Sequence, residues 1–211
     1  GSNMVLQRDT NIPVWGWAEP GEKVTVKIGE HSATATTGDD KRWDVKLPAH
    51  KAGGPHTVTV SGKNSITLEN VLIGEVWVCS GQSNMQFGVD SSDDPDLEKL
   101  TAKFPNIRLI SVPQVGTQEP QNDFGGDGWV ECSPETVGQF SGVGYFFGRR
   151  LHQTLDIPIG LIDNSWGGSA CEAWVRRDIL QADERYSELL AKWVDTEKTY
   201  DHDKAMAVYQ A

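Results

Sequence analysis

Val71-Leu-Ile-Gly-Glu-Val-Trp-Val-Cys79 is an almost unbroken apolar run, and it stops in the small and polar residues Ser80-Gly-Gln-Ser-Asn-Met85. A strand with water on one face alternates apolar and polar residues, whereas a continuous run is expected where both faces are covered, as in a parallel sheet between helices. The residues that follow predict a tight turn at the end of that strand, with Ser83 on it. Toward the C-terminus, residues 93–103 read as a short helix opened at Asp94-Pro95, and Ile107-Arg-Leu-Ile-Ser-Val112 as a second buried strand. Residues 141–155 carry Val143, Phe146, Phe147, Leu151 and Leu155 at spacings of three to four, the period of a helix with one apolar face. Pro158 closes that region, Ile159-Gly-Leu-Ile162 supplies a third strand, and the chain from Glu172 onward is mostly helical and rich in charge. Strands alternating with helices predict an α/β sheet with crossover helices. The strands are too few to complete one.

Before this region the texture is different. Ile12-Pro-Val-Trp-Gly-Trp17, Lys23-Val-Thr-Val-Lys-Ile28 and Arg42-Trp-Asp-Val-Lys-Leu47 alternate, and so does His56-Thr-Val-Thr-Val-Ser61. Residues 32–37 and Ser65-Ile-Thr-Leu68 are shorter β-rich runs, and the breaks between all of these are Gly, Pro and Asp turns. Short alternating runs at regular spacing predict a small all-β sandwich over residues 1–70, with residues 71–211 forming the α/β part.

Composition narrows the function classes. Nineteen Lys and Arg against thirty Asp and Glu give a formal charge of −11, which argues against nucleic acid and anionic membrane surfaces as partners. No run approaches the length of a membrane span. The eight tryptophans stand out, since an indole suits both core packing and stacking on sugars. Three cysteines without CxxC spacing leave at least one thiol free or paired outside the chain.

Sites in open α/β sheets lie beyond the carboxyl ends of the strands. At the first such end, Gly81 permits a tight turn and close backbone approach, so the Ser83 N–H can point at whatever its hydroxyl attacks. Met85 stands where the GxSxG elbow of α/β-hydrolases has its second glycine. At the second, Leu161-Ile-Asp-Asn-Ser-Trp-Gly-Gly-Ser169, adjacent glycines can expose backbone N–H groups to an anion, as an oxyanion hole requires. His31, His50 and His56 fall in turns or on a polar strand face. With His152, mid-helix, and His202, in a charged tail, they read as surface histidines.

Gly81-Gln-Ser-Asn-Met85 after the apolar strand, Asn164-Ser-Trp-Gly-Gly-Ser169, then Glu172-Ala-Trp174, in this order, resemble the sialate O-acetylesterase family of SGNH hydrolases. Phe140-Ser-Gly-Val-Gly-Tyr-Phe-Phe-Gly-Arg149, the opening Met4-Val-Leu-Gln-Arg8 and Val14-Trp-Gly-Trp17 extend the likeness over residues 4–180. The resemblance implies a three-layer α/β/α hydrolase domain, incomplete here, behind an accessory sandwich. It implies that Ser83 is the nucleophile and that its own N–H, with that of Gly167 or Gly168, holds the oxyanion; which glycine is left open. Gln82 and Asn84 would orient the turn and touch the sugar. The substrate would be an acetylated sugar or polysaccharide, with no metal or organic cofactor, in a periplasmic or secreted protein.

The family continues with a QGE block and an Asp-x-x-His pair that supplies the general base. Neither is present: none of the five histidines has an aspartate three residues before it. The expectation is therefore that the remainder of the protein, as a second chain or a missing segment, completes the site. Alone, this chain should expose an apolar sheet edge and be a poor esterase. The competing expectations are a carbohydrate-binding module without turnover, stacking sugars on exposed tryptophans, and an inactive interaction fragment.

Overall fold

The computed structural model describes residues 1–117, 119–201 and 204. By their contacts these fall into two compact units, 1–167 and 168–211. The first unit runs β1 (Val5–Gln7), β2 (Ile12–Trp17), β3 (Lys23–Ile28), β4 (His31–Thr36), β5 (Arg42–Leu47), β6 (Gly53–Ser61), β7 (Ser65–Gly81), α1 (Ser83–Gln86), α2 (Pro95–Thr101), β8 (Phe104–Ser111), β9 (Val130–Cys132), α3 (Gly142–Leu155) and β10 (Ile159–Ser165). The second holds a 3-10 turn at Cys171–Trp174, α4 (Arg177–Gln181), a 3-10 turn at Glu184–Tyr186 and α5 (Ser187–Thr199). The fold is mixed α/β. Among the described residues no helix is long and apolar enough to cross a membrane.

Two sheets organise the first unit. One follows the order β4-β3-β6-β7-β10-β8-β9, with β1 also paired to β7; the other is the β2-β5 pair. β3, β4, β6 and the start of β7 run antiparallel, while β7, β10 and β8 run parallel. Alternation works as expected in the first region: on β5, Trp43, Val45 and Leu47 are buried and Arg42, Asp44 and Lys46 exposed. These inward residues join Ile12, Val24, Val26, Ile28, Val58, Val71 and Ile73 in one core. A second core gathers Cys79, Ile107, Leu109, Tyr145, Ile159 and Leu161.

The boundary expected at residue 70 falls inside β7, which runs on as one strand of 17 residues. Asn70 carries a left-handed φ of 56°, and it is held from outside its own strand. Its side chain donates to Asn3 Oδ1 and Glu131 Oε1, each at 2.9 Å, and the buried Arg108 donates to its backbone and side-chain oxygens at 3.2 and 3.1 Å. Arg108 also donates to Pro105 O at 2.7 Å and Asn3 O at 3.0 Å, so a guanidinium set within an apolar strand is fully engaged.

Two expectations need correction. Coverage of residues 71–79 on both faces holds for Val71, Leu72 and Ile73, but Trp77 is 43% and Val78 61% exposed. The same stretch also forms a sheet edge: Glu75 to Gly81 bond to β10, and among the described residues no other strand lies along it. Of the apolar stripe that the spacing of α3 suggested, Phe146 and Leu151 pack against the second core, but Val143, Phe147 and Leu155 are exposed. Its closest approach to the sheet is at Gly144 and Gly148, where added β-carbons would stand 2.8 Å from Cys79 Sγ and 2.6 Å from Leu161 Cδ1. Only glycine lets the helix approach the sheet that closely. Phe147 instead meets Trp77 edge to face at 5.0 Å.

Candidate active site

β7 and β10 end side by side. Ser165 is in register with Gly81, and the Trp166 N–H donates to Gly81 O at 2.9 Å. Gly81, at φ 149°, then turns the chain into the four residues of α1. Met85 N–H and Gln86 N–H both donate to Gln82 O, at 2.9 and 3.0 Å, closing the turn. Met85 reaches back to the second core and accepts a contact from Ser141 Oγ at 3.4 Å. A methionine in place of a second glycine thus anchors the turn.

Ser83 is exposed at the start of α1, and its Oγ donates to Gln82 Oε1 at 3.0 Å. Gln82 therefore touches the serine itself, while Asn84 is exposed beside it. Gly167 closes the arrangement from the β10 side. A β-carbon on it would stand 3.6 Å from both Cα and Oγ of Ser83, and 2.6 Å from Gln86 Oε1. Its N–H donates to Gln86 Oε1 at 2.5 Å. Gly168, at φ 75°, opens the second unit, in which Trp174 Nε1 donates to Ser169 Oγ at 2.9 Å.

An exposed serine thus stands beside a glycine at the carboxyl ends of adjacent parallel strands. The profile of the carbohydrate esterase, sialic acid-specific acetylesterase family matches residues 73–211. This chain belongs to that family. It is 34% identical over 193 residues to the sialate O-acetylesterase of Homo sapiens and 35% identical over 199 residues to that of Mus musculus, covering 82% and 85% of its own length. The chain spans 37% of the length of each of these relatives. A solved carbohydrate acetylesterase from Xanthomonas citri superposes with a TM-score of 0.82 at 35% identity, over 87% of this chain and 43% of that one.

Within this acetylesterase-family chain, the described histidines make their hydrogen bonds and ring contacts with residues other than Ser83. His152 shares a 2.7 Å hydrogen bond between Nδ1 and Ile157 O. His31, His50 and His56 form a cluster in the first region, with ring centres 4.7 and 6.4 Å apart along the series. Burial and the neighbouring imidazoles lower the pKa of His50. His202 lies outside the described residues. Among the described residues no group of three or more His, Cys, Asp or Glu is set to hold a metal ion.

Two residues of the neighbourhood escaped sequence reasoning. Gln86 lies one helical turn beyond Ser83, and only its meeting with Gly167 reveals its place. Asp163 is buried at the end of β10 and accepts the Ser165 hydroxyl at 2.5 Å. Burial raises its pKa despite hydrogen bonds from Ser165 and the Ser141 backbone. A carboxylate at the end of an apolar strand was the available signal. Burial, with Asp163 nearby, also pushes the Cys79 thiol up to about 11, which keeps it protonated at neutral pH.

Proposed function

We propose that this chain carries the nucleophile of a carbohydrate O-acetylesterase. Ser83 Oγ attacks the carbonyl carbon of a sugar acetyl ester, the tetrahedral intermediate expels the sugar hydroxyl, and water then releases acetate from the acetyl-serine. Developing charge on the acetyl oxygen is met by the N–H groups of Ser83 and Gly167. The observation carrying this reading is the approach of Gly167 to Ser83, whose hydroxyl lies 3.6 Å from where a Gly167 β-carbon would stand. It favours Gly167 over Gly168 as the second donor. The acetyl oxygen would take the place that Gln86 Oε1 now occupies on the Gly167 N–H.

On this reading, β7, β10 and β8 belong to an SGNH-type three-layer domain, residues 71–211, preceded by a β-sandwich over residues 1–70. Proton transfer comes from an Asp-x-x-His pair in the remainder of the protein, for which the unpaired side of Glu75 to Gly81, beside Trp77 and Val78, is a suitable seat. Gln82 holds the hydroxyl, and Asn84 is placed to meet the sugar. A periplasmic or secreted location accords with an extracellular glycan as substrate. Acetate release from O-acetylated sialic acid and from an acetylated polysaccharide, measured on the full-length protein, tests the proposal. Ser83→Ala is expected to lower the rate by about a thousandfold or more. Release at the parent rate would remove Ser83 from the mechanism.

A further inference from the structure

The outer face of the β2-β5 pair carries unusual residues for a wet surface. Along β2, Ile12 and Val14 turn toward the first core, and Pro13, Trp15 and Trp17 turn away from it. Opposite the outward residues stand Lys46, Asp44 and Arg42, which are ordinary there. Trp15 is 44% and Trp17 49% exposed, and their rings meet edge to face at 5.4 Å. The Arg42 guanidinium lies 5.3 Å from the centre of the Trp15 ring, a cation–π contact that helps fix the indole.

Trp15 forms one wall of an open cleft of about 300 Å³, completed by Gln121, Asn122, Asp123 and Phe124. The opposite wall carries two hydrogen bonds local to the loop. Asp123 Oδ1 accepts the Phe124 N–H at 2.8 Å, and Gln121 Nε2 donates to Glu119 O at 2.9 Å. No lining residue belongs to the Ser83 turn or to the Gly167 loop.

We propose that this cleft is a second saccharide-binding site that takes a neutral pyranose unit. A pyranose presents a flat face of C–H bonds, which suits Trp15 and Phe124, and a rim of hydroxyls that both donate and accept. The amides of Gln121 and Asn122 and the carboxylate of Asp123 match that rim. The volume sits at the small end of ligand pockets, which fits one or two sugar rings. Arg42 is engaged with Trp15, Asp123 is negative and the chain carries −11, so an anionic ligand is disfavoured. The site is independent of the proposed esterase chemistry.

Calorimetric titration of the full-length protein with cellotriose, xylotriose, chitotriose and 3′-sialyllactose tests the proposal. At least one neutral trisaccharide is expected to bind. Trp15→Ala and Phe124→Ala, both at exposed positions, should each weaken that binding about tenfold. Ser83→Ala should leave it unchanged, which separates this site from the catalytic one. Failure of every neutral probe, binding of sialyllactose alone, full affinity in both cleft variants, or loss of affinity in Ser83→Ala would each overturn it.

Discussion

Strands β2 to β5 alternate buried or half-buried residues with exposed ones, whereas β10 and β8 bury consecutive residues such as Ile159-Gly-Leu161 and Ile107-Arg-Leu-Ile110. The polar content of the two regions follows from that difference. Of the buried polar side chains among the described residues, Thr37 belongs to the first region, while Arg108, Ser141, Asp163 and Ser165 belong to the second. A one-faced strand can turn its polar residues outward. A two-faced strand must satisfy them inside, so Arg108 collects backbone carbonyls and Asp163 collects hydroxyl and backbone donors. Trp77 and Val78 are apolar residues of β7 that stay exposed on opposite faces of the sheet.

The junction of the regions is where the largest effect is expected. A β-carbon on Gly74 would lie against the Pro158 carbonyl oxygen, 1.9 Å away, where β7 passes from one core to the other. Gly74→Ala should cost more than about 4 kcal/mol or prevent folding, as read by urea unfolding. A near-parent midpoint would mean that the two regions are not rigidly joined through this strand.

A smaller effect sharpens the contrast within β7 itself. Ile73→Thr, at a fully buried site, should cost about 2 kcal/mol or more, and Val78→Thr, at 61% exposure, less than about 0.5 kcal/mol in this chain. Equal costs at both positions would show that Val78 is covered.

The smallest effect concerns pH. Burial raises the Asp163 pKa, so the folded chain binds that proton more tightly than the unfolded chain does. This contribution to stability is therefore lost as pH rises from the ordinary aspartate value through the raised one, and is constant above it. Asp163→Asn removes the titration, so its stability relative to the parent should improve across that window. An offset that does not change with pH would mean that Asp163 titrates normally.

Much of the first region was legible because alternation is a local signal: the bounds of β2, β3 and β5 match the alternating runs. The continuity of β7 was not, because the residue pattern changes at Val71 while the strand runs on through the left-handed Asn70. Its partners Asn3, Arg108 and Glu131 are remote in sequence, so no local window contains what keeps the strand going. On α3, hydrophobic periodicity marked Val143 and Phe147, but closeness of approach to Cys79 and Leu161 selected the glycine face. At the site, the Ser83 turn and the paired glycines could be read directly. The bond from Gly167 to Gln86 spans 81 residues and required the fold.

Covalent capture tests most directly whether Ser83 is a nucleophile. A serine-reactive phosphonate should add one adduct to the full-length protein, peptide mapping should place it on Ser83, and Ser83→Ala should abolish it together with acetyl-ester hydrolysis. An adduct on another residue, with hydrolysis intact in Ser83→Ala, would contradict the account.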